Sequence, residues 1–200
     1  MSRTEEIRSR IKAAALDLFL SRGFARSGVR QIAGSIGVSV GTIFNYFDSK
    51  EQILYALIFE MQKGVAVPLQ AAARKYREQA AADGDPEQSL RMLLSEYARA
   101  VDVWRAQLLL AHQETRSLRR EQLREILDGE RRMGDLLADV IRIGVERGKF
   151  RPGDLHFRAH AIQIMVQSWA TRRWALPRDM TLDNFIASVE RSVLAMLKGA

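Results

Sequence analysis

Cysteine is absent from the 200 residues, which excludes disulfides and thiolate metal sites and leaves packing as the source of stability. No run of about eighteen apolar residues occurs, so nothing reads as a membrane-spanning helix. No segment alternates apolar and polar residues in the manner of a half-buried strand. The start, Met1-Ser2-Arg3-Thr4-Glu5-Glu6, lacks the apolar core of a signal peptide, and a cytoplasmic protein is expected. Also missing are a glycine-rich phosphate loop, a nucleophile elbow and a His-Glu-x-x-His pair. His156 and His160, four apart, share a helical face, yet no third metal ligand is evident. The expectation is therefore a non-enzyme without metal or cofactor.

Charge is plentiful and unevenly placed. The formal net charge is +7, which suits a polyanionic partner without proving one. The first fifty residues carry eight Lys or Arg against four Asp or Glu, more than half of the whole excess.

Periodicity reads as helix along nearly the whole chain, so the fold class is all-α. Ser2 and Glu5 have capping-box spacing, Ile7, Ile11, Ala14, Ala15 and Leu18 follow on one face, and Gly23 is placed to end that helix. A second helix runs from about Val29 to Ile36 and breaks at Gly37. Ser39 caps a third that reaches Phe47, and Ser49 with Gln52 opens a long fourth that fades near Gln79. Asp83-Gly84-Asp85-Pro86 is the clearest loop. Asp85 as cap and Pro86 at the first position start a helix whose buried face runs through Leu90, Leu94, Tyr97, Val101, Trp104 and Leu108. Further helices are expected over about 117–147, with an interruption near Asp128-Gly129, over 155–174 and over 181–197.

The second and third helices are joined by Gly37-Val38-Ser39, a tight turn with glycine where a positive φ is needed. Two helices so joined can set the second in a DNA major groove, which is wide enough for one helix, while hydroxyl and basic side chains hold the flanking phosphates. The matching residues are Arg8, Ile11, Ala14-Ala15-Leu16, Phe19, Gly23-Phe24, Ser27, Val29, Ile32-Ala33, the run from Gly37 to Phe47 and Lys50-Glu51. Over about residues 8–54 this pattern resembles the TetR/AcrR family of repressors.

The resemblance implies an N-terminal three-helix helix-turn-helix DNA-binding domain over residues 1–50 and a helical ligand-binding and dimerisation domain over residues 51–200. It implies a phosphate contact for Ser27, and a recognition helix opened by Ser39, Val40, Gly41 and Thr42, with Val40 and Thr42 at base edges. Asn45 would read a base or hold a phosphate, Tyr46 would bond the DNA backbone and Lys50 would pair with a phosphate. Phe44 stands where the family often has tyrosine, so it would pack on the sugar-phosphate surface, with Arg26 and Arg30 near enough to compensate. Seen singly, Ser39 and Ser49 read equally well as plain helix caps.

The resemblance further implies a homodimer on palindromic double-stranded operator DNA, its recognition helices about 34–36 Å apart, released by a small hydrophobic effector. Expected dimer residues are Ile162 and Val166 on one helix, with Phe185, Val189 and Val193 on the last; the same stripes also read as core within one subunit. Expected pocket residues are the apolar Trp104, Leu108, Met133, Met165 and Trp169, with His112 as a hydrogen-bonding group. Arg116, Arg119, Arg120 and Arg124, and Arg172-Arg173, suggest the acyl-CoA-responsive members of the family, because guanidinium forks suit phosphate. The competing view is a solvated face paired with Glu121, Glu125 and Glu130. Two other readings stay open: a DNA-binding adaptor whose large domain docks a protein partner, and a helical carrier with no DNA role.

Overall fold

The computed structural model describes residues 2–81 and 84–199; Asp83, the first residue of the predicted loop, lies outside them. Among the described residues there is no strand. The helices are α1 (Arg3–Arg22), α2 (Val29–Ile36), α3 (Val40–Phe44), α4 (Lys50–Ala81), α5 (Pro86–Val103), α6 (Arg105–Glu114), α7 (Arg120–Glu146), α8 (Leu155–Thr171) and α9 (Leu182–Lys198), with 3₁₀ turns at Thr115–Ser117 and Arg173–Ala175. The chain divides into two compact units, each assembled from separated stretches: Met1–Met61 with Ala106–Ile126, and Gln62–Arg105 with Leu127–Ala200. One of the divisions falls inside α4, between Met61 and Gln62.

In the first unit the caps read from the sequence are present. The Ser2 backbone donates to Glu5 Oε2 at 2.8 Å and the Glu5 backbone to Ser2 Oγ at 3.2 Å. Ile11, Ala15 and Phe19, one helical turn apart, bury the inner face of α1, and Ile32, Ala33, Ile43 and Phe47 close on it from α2, α3 and the segment beyond. Gly37 takes φ 69°, the left-handed conformation that stops α2. The recognition helix is shorter than expected. It stops at Phe44, and the Asn45 and Tyr46 amides donate to Gly41 and Ile43 in a tightening last turn.

In the second unit α5 packs on both α8 and α9. Leu90, Leu94, Tyr97 and Val101 meet Ile162 and Val166 from α8 and Val189, Val193 and Leu197 from α9 in one core. Asp85 accepts from the Glu87 amide at 3.1 Å and Pro86 occupies the first turn, as the sequence indicates. Two boundaries differ from expectation. The helix of Leu90 and Tyr97 ends at Val103, with Trp104 as its cap and α6 beginning at Arg105. In addition, α7 passes through Asp128-Gly129 unbroken, because Gly129 admits a neighbour: a Cβ there would stand 2.7 Å from Gln62 Oε1. Helix α4 carries Pro68 in its interior, whose missing N–H removes the helical bond to the Gly64 carbonyl.

A charged staple joins α5 to α9. Glu87 accepts from Lys198 at 2.8 Å and from Arg91 at 2.9 Å, and Arg91 reaches Glu190 at 3.3 Å. Lys198 first, then Arg91, holds the Glu87 carboxyl below its ordinary value. A depressed folded value means that this stabilisation is complete above the unfolded carboxyl's pKa and is lost as pH falls through the folded one. Thermal melts from about pH 5 downward should therefore show a steeper acid loss for the native chain than for Glu87→Gln. Parallel pH profiles would contradict the staple.

Candidate nucleic-acid interface

Residues of the α1–α2 loop, α2 and α3 line a concavity of about 570 Å³ that includes Arg26, Gly28, Arg30, Gln31, Val40 and Phe44 and no acidic side chain. Each part has a local cause. The Gln31 amide oxygen accepts from the Gly28 backbone at 2.9 Å and so fixes the start of α2. Ser39 Oγ accepts from the Thr42 backbone at 3.0 Å and lies 2.9 Å from the Thr42 hydroxyl, pinning the first turn of α3. With Ile43 buried as the inward anchor, Gly41, Phe44 and Asn45 are exposed and Val40, Thr42 and Tyr46 half-buried. Phe44 is 50 % exposed, a large apolar surface beside two arginines.

Arg30 is exposed and makes no bond to any described residue, while Arg26 donates Nε to the Arg22 carbonyl at 2.8 Å, which leaves its outer nitrogens outward. Arg3 and Arg22 are likewise exposed, whereas four other N-terminal bases, Arg8, Arg10, Lys12 and Lys50, are engaged within the protein. Arg8 lies 4.5 Å from the Phe47 ring centroid and donates to the Tyr46 carbonyl, Arg10 donates to the Ile36 carbonyl at 2.8 Å, and Lys12 pairs with Glu60. Much of the basic excess counted in the sequence thus holds the helices together.

Ser27 and Lys50, both expected at phosphates, also bond within the protein. Ser27 is buried, its hydroxyl placed to donate to the Gly23 carbonyl at 2.9 Å or the Leu18 carbonyl at 3.1 Å. Lys50 donates to the Phe24 carbonyl at 3.0 Å and the Ser27 carbonyl at 3.2 Å, with its ammonium 4.3 Å from the Phe24 ring centroid. Both residues shape the α1–α2 loop from inside. Lys50→Ala is accordingly expected to lower stability by about 1–2 kcal/mol, read as an earlier thermal midpoint. An unchanged midpoint with weakened DNA binding would return Lys50 to phosphate contact.

In the second unit the expected dimer residues are core. Ile162, Val166 and Val193 are fully enclosed, and Val189 and Phe185 nearly so, with Phe185 packed on Trp169 at 5.0 Å between ring centroids. A side chain enclosed by its own chain has no surface to offer a partner. The apolar side chains that α8 and its following turn do expose are Phe157, Ile164 and Trp174.

The expected pocket residues fall in both units. Leu108 and His112 belong to the first unit, and Trp104, Met133, Met165 and Trp169 to the second. His112 is exposed. Trp169 donates to Asp102 at 2.8 Å, and Trp104 lies against Gly64. Arg173 covers the Trp169 ring at 4.7 Å and donates to the Pro177 and Met180 carbonyls, which ties it to the α8–α9 turn. His156 and His160 are exposed, and among the described residues no three metal-ligating side chains come together.

The sequence profile described as "Bacterial regulatory proteins, tetR family" matches residues 11–57, and that described as "Tetracyclin repressor-like, C-terminal domain" matches residues 83–175. The chain is 29% identical over 182 residues to the HTH-type transcriptional regulator HbdR of Aromatoleum sp. (strain CIB), spanning 91% of this chain and 76% of that protein. It is 27% identical over 174 residues to the HTH-type transcriptional repressor KstR2 of Mycobacterium tuberculosis (strain ATCC 25618 / H37Rv), spanning 85% and 82%. Among solved structures, a bacterial regulatory protein of the tetR family from Rhodococcus RHA1 matches with a TM-score of 0.83 at 25% identity over the whole of both chains. The TetR family regulator PfmR from Thermus thermophilus matches at 0.79 and 26%, over 92% of this chain and 97% of that one. These relatives regulate transcription. A helix-turn-helix presented beside an acid-free basic concavity, followed by a helical domain that both profile and fold assign, places this chain in the TetR family of DNA-binding transcriptional regulators.

Proposed function

We propose that the protein is a cytoplasmic repressor that binds a palindromic operator as a homodimer and is released by a small hydrophobic effector, with residues 1–50 serving DNA and residues 51–200 serving effector and partner. The observation that carries this reading is the concavity in which unpartnered Arg30 lies beside half-exposed Phe44. A phosphate takes the guanidinium and the sugar edge takes the ring, while Val40, Gly41, Thr42 and Asn45 face the bases. The exposed Phe157, Ile164 and Trp174 supply the apolar surface that a second copy would cover.

An acyl-CoA is the effector class we favour. Arg116, Arg119, Arg120 and Arg124 are all exposed, and none forms an ion pair among the described residues. Glu125, one of the acids expected to neutralise them, instead accepts from the Tyr55 hydroxyl. Four free guanidinium groups suit the phosphates of coenzyme A.

The test is selection of duplexes from a random pool, followed by the mass of the complex in solution. A palindromic consensus bound by two chains is expected, and a panel of acyl-CoAs should then displace the duplex. Persistent DNA binding with no displacement removes the acyl-CoA class and leaves the repressor. A chain monomeric on DNA would instead assign the exposed apolar side chains to a different protein, the adaptor reading.

A further inference from the structure

Helix α3 turns one fully buried side chain inward, that of Ile43. At about 100° per residue, Gly41 and Asn45, each two residues from Ile43, stand nearly opposite it, and both are exposed. The Asn45 backbone donates to the Gly41 carbonyl at 3.1 Å, which stacks the two one turn apart. Val40 and Phe44 form one flank, on the side of Arg26 and Arg30, and half-buried Thr42 and Tyr46 form the other. The outermost strip of the recognition helix is thus bare backbone followed by a short amide.

Among the described residues nothing requires glycine at 41. Its φ is not left-handed, and a Cβ there would stand 3.7 Å from Ser39 Oγ, an ordinary contact. Alanine would fit and would favour the helix. Glycine instead suits a backbone that another molecule must approach closely. Asn45 gives that approach a use, because its amide is only one methylene from Cα and reaches a base edge only where the backbone lies near. Neither the carbonyl nor the NH₂ of that amide bonds to a described residue. By contrast, Val40 and Phe44 carry no polar side-chain group, and the Thr42 hydroxyl lies 2.9 Å from Ser39 Oγ.

We infer that Asn45 reads an adenine in the major groove of each half-site, with Gly41 as the position of close approach that brings it there. The inference rests on the DNA-binding reading above and names the base that its helix selects. An asparagine amide sets one acceptor beside two donors. Adenine alone among the bases sets the complement, N7 as acceptor beside the N6 amino donor, on its major-groove edge. Guanine shows two acceptors there, cytosine a donor, and thymine an acceptor beside a methyl group. A contact to phosphate would use the same amide but would carry no base preference.

Selection of duplexes from a random pool, run in parallel on the native chain and on Asn45→Ala, tests the assignment. The native consensus is expected to hold an adenine at one symmetric position of each half-site, and the Asn45→Ala consensus to lose that preference and keep the others. Placing 7-deazaadenine at that position preserves pairing with thymine and the N6 amino group but removes N7. It should weaken binding by the native chain about tenfold when both half-sites carry it, and leave binding by Asn45→Ala unchanged. Gly41→Ala should bind the native consensus about tenfold or more weakly, with a thermal midpoint unchanged or up to about 2 °C higher. A uniform loss across all duplexes in Asn45→Ala, equal response of both chains to 7-deazaadenine, or native affinity in Gly41→Ala each overturns the proposal and leaves the regulator reading standing. A native chain that binds no duplex even at low salt defeats the regulator reading, and the base assignment falls with it.

Discussion

Replacing Arg26 and Arg30 together by alanine is expected to weaken duplex binding about a hundredfold at about 0.1 M salt, taking about tenfold for each charge-assisted phosphate contact. The loss should be nearly uniform across duplex sequences, because phosphates carry no base information. The slope of log affinity against log salt should become shallower by about two, since two fewer counterions are released. Stability should hardly change, because Arg30 bonds to no described residue and Arg26 gives only one bond, to its own helix. The measurement is anisotropy of a labelled duplex over a salt series, with a thermal melt alongside. An unchanged slope would mean that the concavity beside Phe44 does not meet the DNA backbone, and the docking geometry would have to be rebuilt on other bases.

A single methyl group at Gly64 is expected to destabilise the second unit by about 2 kcal/mol or more. In an open helix Gly→Ala is favourable by up to about 1 kcal/mol, so the predicted sign is the reverse of the helix rule. The cause is contact. A Cβ at Gly64 would lie 2.1 Å from Trp104 Nε1 and 2.2 Å from Cε2, well inside van der Waals distance, and an indole ring with that much overlap must leave its seat. Overpacking of this kind costs about 1–3 kcal/mol and moves neighbouring backbone. Trp104 is also where α5 ends, so displacing it disturbs the junction with α6. Thermal unfolding of Gly64→Ala should show a midpoint lower by about 5 °C, given the scaling for chains of this size. The double variant Gly64→Ala/Trp104→Leu should recover part of the loss through removal of the clash. A Gly64→Ala chain more stable than the native one would show that the indole relocates at no cost.

The helix-turn-helix was legible because its signals are local. Ser2 with Glu5, Gly37, Ser39 and Asp85-Pro86 act within a few residues of themselves, and each appears in its expected role. What escaped was set by distant parts of the chain. No glycine or proline marks the break at Trp104; the ring's seat on Gly64, forty residues away, accompanies it. The stripe of Ile162, Val166, Phe185 and Val193 records burial but not what does the burying, and here the same chain does. Charge misleads in the same way. Lys50 and Arg10 count toward a basic surface, yet their donors end on the protein's own backbone carbonyls. Gln62 and Gln163 gave no signal at all, because a glutamine on a helix normally faces water and only the fold reveals that these two do not.

Helix α4 is a rod with a soft joint. From Lys50 to Pro68 it spans eighteen residue steps, about 27 Å at 1.5 Å each, and the rung between Pro68 and Gly64 lacks its hydrogen bond. Leverage follows from those lengths: a tilt of about two degrees at the joint displaces the Lys50 end by about 1 Å. Trp104 rests on Gly64, the residue to which Pro68 cannot donate, so any bend at that rung works against a seated indole.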